Sequence, residues 1–308
     1  LLSLSALTFG NVEASAQRRA VAVSFAPTES VAVIKVNWAR TRQDDQLRRI
    51  VRGDEFKQIV RRFGIDSEQV SEWVVFSDIN PTSSAGLGMI LSGSFSSRGI
   101  ADRLKAQGWS EQTFGTHQVY LNPADKTYAA SLRPGLLVVG TRAGVEKVIN
   151  VEANPQMGIT TKQPFSTLLA NFARNPKPIT FMLGIPQQYQ ATADVAYKVA
   201  AKLIDLSGLS PLGTILDKIG LARALGFSIS RNGSVYPVEL VGMMKDVMTT
   251  QFISGALNLM KSLPMMASPR NMSQQDRDSV AAIQSMRISS SGTLLSIRFD
   301  MPESGMPR

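Results

Sequence analysis

Few side chains in this sequence could do covalent chemistry. His117 is the lone histidine, and the 308 residues contain no cysteine. That combination removes disulfides, thiolate nucleophiles, iron–sulfur clusters and cysteine-type zinc sites together. A hydrolytic serine on a strand-to-helix elbow needs the G-x-S-x-G pattern, and neither "LSGSF" nor "SSSG" supplies the flanking glycines. On "GTHQVYLN", His117 keeps step with Val119 and Leu121, as a strand residue does whose ring is exposed or singly bonded. A hydrolase using His117, or carboxylates that meet only in space, stays as the enzymatic alternative to a leading reading of non-catalytic binding.

The carboxylates have an ordinary account. Asp44, Asp45, Asp54, Glu55, Asp276 and Asp278 all fall at expected helix starts, where the positive end of the helix dipole favours acids. "VVGTRAGVEKV" has the look of a phosphate loop but not its spacing, and Val145 stands where the lysine should follow. Thr141 as the N-cap of a following helix explains the stretch better. No cofactor or metal is expected.

Two constellations point instead to contact. Arg48, Arg49, Arg52, Lys57, Arg61 and Arg62 crowd one stretch, and the pairs Arg48/Arg52 and Lys57/Arg61, four apart, share helical faces. Such a face is either simply solvated or meets an anionic surface. Met244, Met248 and Phe252 recur every four residues. Thioethers can ligate Cu(I), but this periodicity is that of a packing stripe, buried in the core or facing a partner.

Thirty-three Lys and Arg against 24 acids give a net charge of +9. A basic balance favours anionic surfaces. In an exported protein the candidates are an acidic envelope protein or an anionic membrane surface rather than nucleic acid. Export is expected because the uncharged apolar run Leu1–Phe9 is followed by Ala14-Ser15-Ala16, the small-x-small pattern that a signal peptidase reads. No later stretch is long and apolar enough to span a bilayer as a helix.

The elements that must position these residues alternate. "ESVAVIKVNWA" alternates with period two and reads as a strand. "DDQLRRIVRGDEFKQIVRRFG" has helical spacing, with Gly53 marking a break into two helices. Two strands, a helix ending at Gly108, a three-strand meander and a helix over 143–151 follow. The second half repeats the order, with "PITFMLGIP" as its first strand and helices over 192–208, 211–220 and 246–263. Its hairpin turns on Asn232-Gly233, the strongest short hairpin signal.

The expected organisation is a signal-peptide remnant at 1–16, a linker at 17–29 and an α+β module over 30–152. A connector at 153–177, a second module over 178–303 and a tail at 304–308 complete it. Each module is expected to be a mostly antiparallel sheet with helices on one face, in an extended ferredoxin-like order.

With "SVAVIKVNWAR", "FKQIVRRFGID" and "LLVVGTRAGVEKVI", residues 29–151 resemble a broad group of exported bacterial proteins of unassigned function built from tandem strand–helix modules. The resemblance implies a non-enzymatic role in the periplasm or on the outer face of a membrane, and it assigns no catalytic residue. Together these readings give an exported binding or assembly protein of the cell envelope. The alternatives are an accessory subunit peripheral to a membrane complex and a hydrolase.

Overall fold

The structure is a computed structural model, and it describes residues 22–78, 86–173, 177–184, 222–262 and 274–306. The first half supplies β1 (Ala32–Val36), β2 (Val70–Ser77), β3 (Leu87–Gly93), β4 (Ser110–Phe114), β5 (His117–Leu121), β6 (Tyr128–Arg133) and β7 (Leu136–Gly140). The second supplies β8 (Ile179–Gly184), β9 (Ala222–Ile229), β10 (Val235–Met244), β11 (Arg287–Ser291) and β12 (Leu294–Pro302). Among the described residues these form one 12-stranded sheet in the order β11-β12-β10-β9-β8-β1-β2-β3-β7-β6-β5-β4. Every pairing in it is antiparallel. The chain is therefore an α+β protein on an antiparallel sheet.

Outward from the central β1/β8 pair, the order reads β1-β2-β3-β7-β6 one way and β8-β9-β10-β12-β11 the other, with β5 and β4 added to the first arm. The two halves do not form separate sheets, because Val33 pairs with Met182 and Val36 with Ile179 across the centre. Nor is the order ferredoxin-like. A split strand–helix–strand unit would leave a gap between β1 and β2, whereas Ile34 pairs directly with Val75. The helical segment between them explains this. It is broken into α1 (Trp38–Thr41), α2 (Asp45–Ile50) and α3 (Gly53–Arg62), with Arg52 at φ 50° between the last two. Short, bent helices return the chain to the end of the sheet it left, so the next strand runs antiparallel beside the first.

Helices cover both faces of the sheet, not one. On the first face lie α1–α3, α4 (Ser97–Ala106), α7 (Val247–Ser262) and α8 (Gln274–Ser285). Trp38 tilts against Phe56, which stacks on Trp73, with centroids 4.7 and 5.4 Å apart, and Ile100, Leu104, Ile253 and Leu257 extend the same core. On the second face, α5 (Arg142–Ala153) and α6 (Phe165–Ala173) bury Val145, Val148, Phe165, Leu168 and Phe172 against Val33, Ile90, Val138 and Met182. A Cβ on Gly184 or Gly226 would meet the ring of Phe165 at 2.8 Å or of Phe172 at 2.6 Å. Bare backbone in β8 and β9 is what lets α6 settle onto the sheet.

Two stretches read as connections are packed structure. In the expected linker, Ala22, Val23, Phe25 and Ala26 are buried in the second-face core, because four small or apolar residues together can close its open end. The expected connector contains α6. The hairpin turn is as expected, with Gly233 at φ +62°, and Thr141 caps α5 by accepting from Gly144 N–H. The expected helices over 192–208 and 211–220 lie outside the described residues.

Candidate functional site

The site is built where the two halves meet at one end of the sheet. The turn between α1 and α2 presents Asp44, whose Oδ1 caps α2 by accepting from the N–H of Gln46 at 2.9 Å and of Leu47 at 3.0 Å. From the second half, the β9–β10 turn presents Arg231, whose Nη1 donates to Asp44 Oδ2 at 3.1 Å, while its Nε donates to Gly233 O at 3.0 Å. The buried Tyr236 hydroxyl donates to the same carboxylate at 3.4 Å. Burial foremost, then the Asp44 charge, raises the Tyr236 pKa above the ordinary phenol value.

Beside this tie opens a cleft of about 720 Å³. Its walls carry Arg40, Lys177, Arg231, Arg287 and Arg298 against only Asp44 and Asp300. Asp44 is already engaged. Lys177, two residues before β8, is 7% exposed, and among the described residues it has neither an ion-pair partner nor a hydrogen-bonded acceptor for its ammonium. Burial first, and the Arg298 guanidinium second, push its pKa below the usual lysine value, with Glu239 opposing. Arg287 and Arg298 are direct cross-strand partners, and Glu239 pairs with Arg298 on its other side. Both arginines are exposed and neither is ion-paired among the described residues.

The same two arginines form one end of a second trough of about 680 Å³, where α6 faces the outer strands with Ser166, Asn171, Ser289 and Ser291. Such an arrangement can neutralise and orient an anion. Like charges gathered in a partly desolvated concavity raise the local concentration of counter-charged ligand.

Apart from Asp44, the residues singled out from the sequence lie elsewhere. Of the basic set, Arg48 pairs with Asp45 at 3.0 Å, Arg52 with Glu55 at 3.6 Å and Lys57 with Asp54 at 3.2 Å. Those acids neutralise their own neighbours on the helix. The helical face expected to join Arg48 and Arg52 is interrupted, because Arg52 adopts the left-handed conformation between α2 and α3. Arg49, Arg61 and Arg62 are exposed.

The methionine stripe divides. Met244 ends β10 and is buried in the first-face core, so it belongs to a strand. Met248 and Phe252, one turn apart on α7, are 82% and 79% exposed, and Val247 beside them is 47% exposed. His117 Nε2 lies 3.5 Å from Glu152 Oε2 at the end of α5. The structure brings an acid to the imidazole, and among the described residues no hydroxyl hydrogen-bonds to the ring.

Sequence reasoning missed Lys177, Arg231, Arg287 and Arg298. Arg231 carried a usable signal, since it flanks the Asn232-Gly233 turn and so had to lie at the tip of a hairpin. The others carried none, because strand order alone brings them together.

No family model matches the chain, and no curated protein matches it. Among solved structures, TP0453 in crystal form I is similar over 92% of this chain and 94% of that one, at 9% identity and a TM-score of 0.49. TP0453 in crystal form III gives the same coverage at 10% identity and a TM-score of 0.47.

Proposed function

We propose that the protein is an exported, non-catalytic binding protein of the bacterial cell envelope, and that what it binds through the cleft is anionic. The observation that carries this reading is Lys177, a largely buried lysine with no ion-pair partner among the described residues, lining a cleft of cations. An unpaired buried charge costs stability, and a complementary anion would relieve that cost. Export is supported by the leader-like run Leu1–Phe9 with its Ala14-Ser15-Ala16 site. The test is thermal unfolding of the full chain at low ionic strength with added inorganic phosphate or sulfate. Stabilisation that saturates and is absent in Lys177→Met supports the reading; equal stabilisation of both proteins refutes it.

A second reading, as an accessory subunit peripheral to a membrane complex, is favoured by the exposure of Met248 and Phe252 on α7. Retention on salt-washed membranes that is lost in Met248→Glu/Phe252→Glu would support it. The hydrolase alternative has only the His117–Glu152 pair behind it, and an activity that survives His117→Ala would remove that support.

A further inference from the structure

Resting on the anionic-ligand reading, the geometry points to a narrower ligand class. We propose that the cleft seats a phosphate monoester carried on a polar, hydroxyl-bearing body, with Lys177, Arg287 and Arg298 as the anion's ligands. Three observations converge on this. Lys177 is largely buried in the cleft wall, and no carboxylate of the described residues forms an ion pair with it. Arg287 and Arg298 stand directly opposite each other on neighbouring strands, where like charges repel unless something negative lies between or over them. Across the whole cleft, Arg40, Lys177, Arg231, Arg287 and Arg298 stand against Asp44 and Asp300, and Glu239, the register partner of Arg298, adds a third carboxylate, which leaves two positive charges in excess. A monoester with up to two negative charges and three terminal oxygens matches that excess, and guanidinium forks suit phosphate oxygens.

The rest of the ligand follows from size and lining. At about 720 Å³ the cleft falls in the range that holds a small organic molecule, well beyond a bare anion. Gln43, Ser230, Asn232 and Ser285 offer amides and hydroxyls along it. Apolar lining is confined to Leu47, Phe299 and two prolines, which gives an acyl chain little to pack against. A sugar-like body fits such walls; a lipid tail does not.

The experiment is calorimetric titration of the full chain at low ionic strength with glucose 6-phosphate, glucose, inorganic phosphate and vesicles containing phosphatidic acid. Glucose 6-phosphate is expected to bind saturably, about tenfold or more tighter than inorganic phosphate, with glucose silent. Lys177→Met and Arg298→Gln, checked for an unchanged circular dichroism spectrum, are each expected to weaken it about tenfold or more. If inorganic phosphate binds as tightly as the sugar phosphate, the polar-body assignment falls while the anionic cleft stands. Failure of every anion to bind would remove both. Vesicle binding that depends on Lys177, without binding of glucose 6-phosphate, would overturn the soluble ligand in favour of a headgroup. Unchanged affinity in both variants would place the ligand elsewhere and end the proposal.

Discussion

Asp44 Oδ2 lies 3.1 Å from Arg231 Nη1 while Asp44 Oδ1 caps α2, so one buried carboxylate fastens a helix of the first half to a hairpin of the second. The two roles differ in weight. A lost N-cap costs about 1 kcal/mol, and a buried hydrogen-bonded group stripped of its partner adds about 1–3 kcal/mol. Arg231, with a side chain 47% exposed, is partly screened by solvent. Asp44→Ala is therefore expected to lower unfolding stability by about 2–4 kcal/mol, and Arg231→Gln by clearly less, because solvent screens its guanidinium. Urea denaturation of the two variants checks this, and equal losses would mean that the cap and Tyr236 contribute nothing.

Lys177 sets binding against stability. Its pKa is lowered by burial first and by Arg298 second, so protonation is less favourable in the folded chain than in the unfolded one. That bias is worth most above the unfolded lysine value of 10.5 and is lost as pH falls through the lowered folded value. Below that window the protonated side chain costs the fold stability, and Lys177→Met is expected to stabilise the free protein by about 1–3 kcal/mol. The gain should shrink as pH is raised toward 10.5. A variant less stable than the native protein at neutral pH would show that Lys177 is satisfied within the fold.

Glu72 behaves in the opposite sense. Its carboxyl is raised above the ordinary 4.5 chiefly by burial, with Lys35 and the N–H groups of Ala22 and Val23 opposing. Stability from this group is fully present below the unfolded value and is lost as pH rises through the window between 4.5 and the raised folded value. Glu72→Gln is expected to flatten that part of the stability–pH curve, measured by urea midpoints from pH 4 upward. An unaltered slope would assign the dependence to other groups.

How much of this was legible in the residues varies from element to element. The break at Gly53 and the Asn232-Gly233 turn are local chemistry found where the sequence puts them, whereas the strand read over "ESVAVIKVNWA" holds only over Ala32–Val36, because Asn37 caps a helix that begins at Trp38. Coverage of both faces also had a signal that alternation-based reading passed over. Leu136, Leu137, Val138 and Val139 are all buried, and an unbroken apolar strand is what a doubly covered sheet requires. α6 is harder to see, because Phe165, Leu168 and Phe172 are its only buried anchors and Ser166, Thr167 and Asn171 face the trough. The meeting of Lys177 with Arg298 depends on strand order, which no local pattern encodes.

The division of the methionine stripe has its own consequence. Met244 is fully buried, and Met→Ala in a core costs about 2–5 kcal/mol. Met248 and Phe252 are exposed, and substitutions at such positions change stability by about 0.5 kcal/mol or less. Met244→Ala should therefore lower the urea midpoint sharply, and Met248→Glu or Phe252→Glu should leave it in place. A large loss from either glutamate would mean that α7 is covered by the chain itself, which would remove the support for an accessory-subunit role.

The seat of α6 gives a test of packing alone. A Cβ on Gly226 would lie 2.6 Å from Phe172 Cε2 and 3.5 Å from Leu168 Cδ2, so the helix must lift or the ring must turn. Overpacking of this kind costs about 1–3 kcal/mol. Gly226→Ala is expected to destabilise by that amount, and Phe172→Leu by the loss of ring burial. The double variant should lose less than the sum of the two, because a smaller side chain at 172 accommodates the added methyl group. The coupling is read from a double-mutant cycle of urea unfolding free energies. Additive losses would show that the ring of Phe172 does not press on β9, and that glycine at 226 answers to some other constraint on the strand.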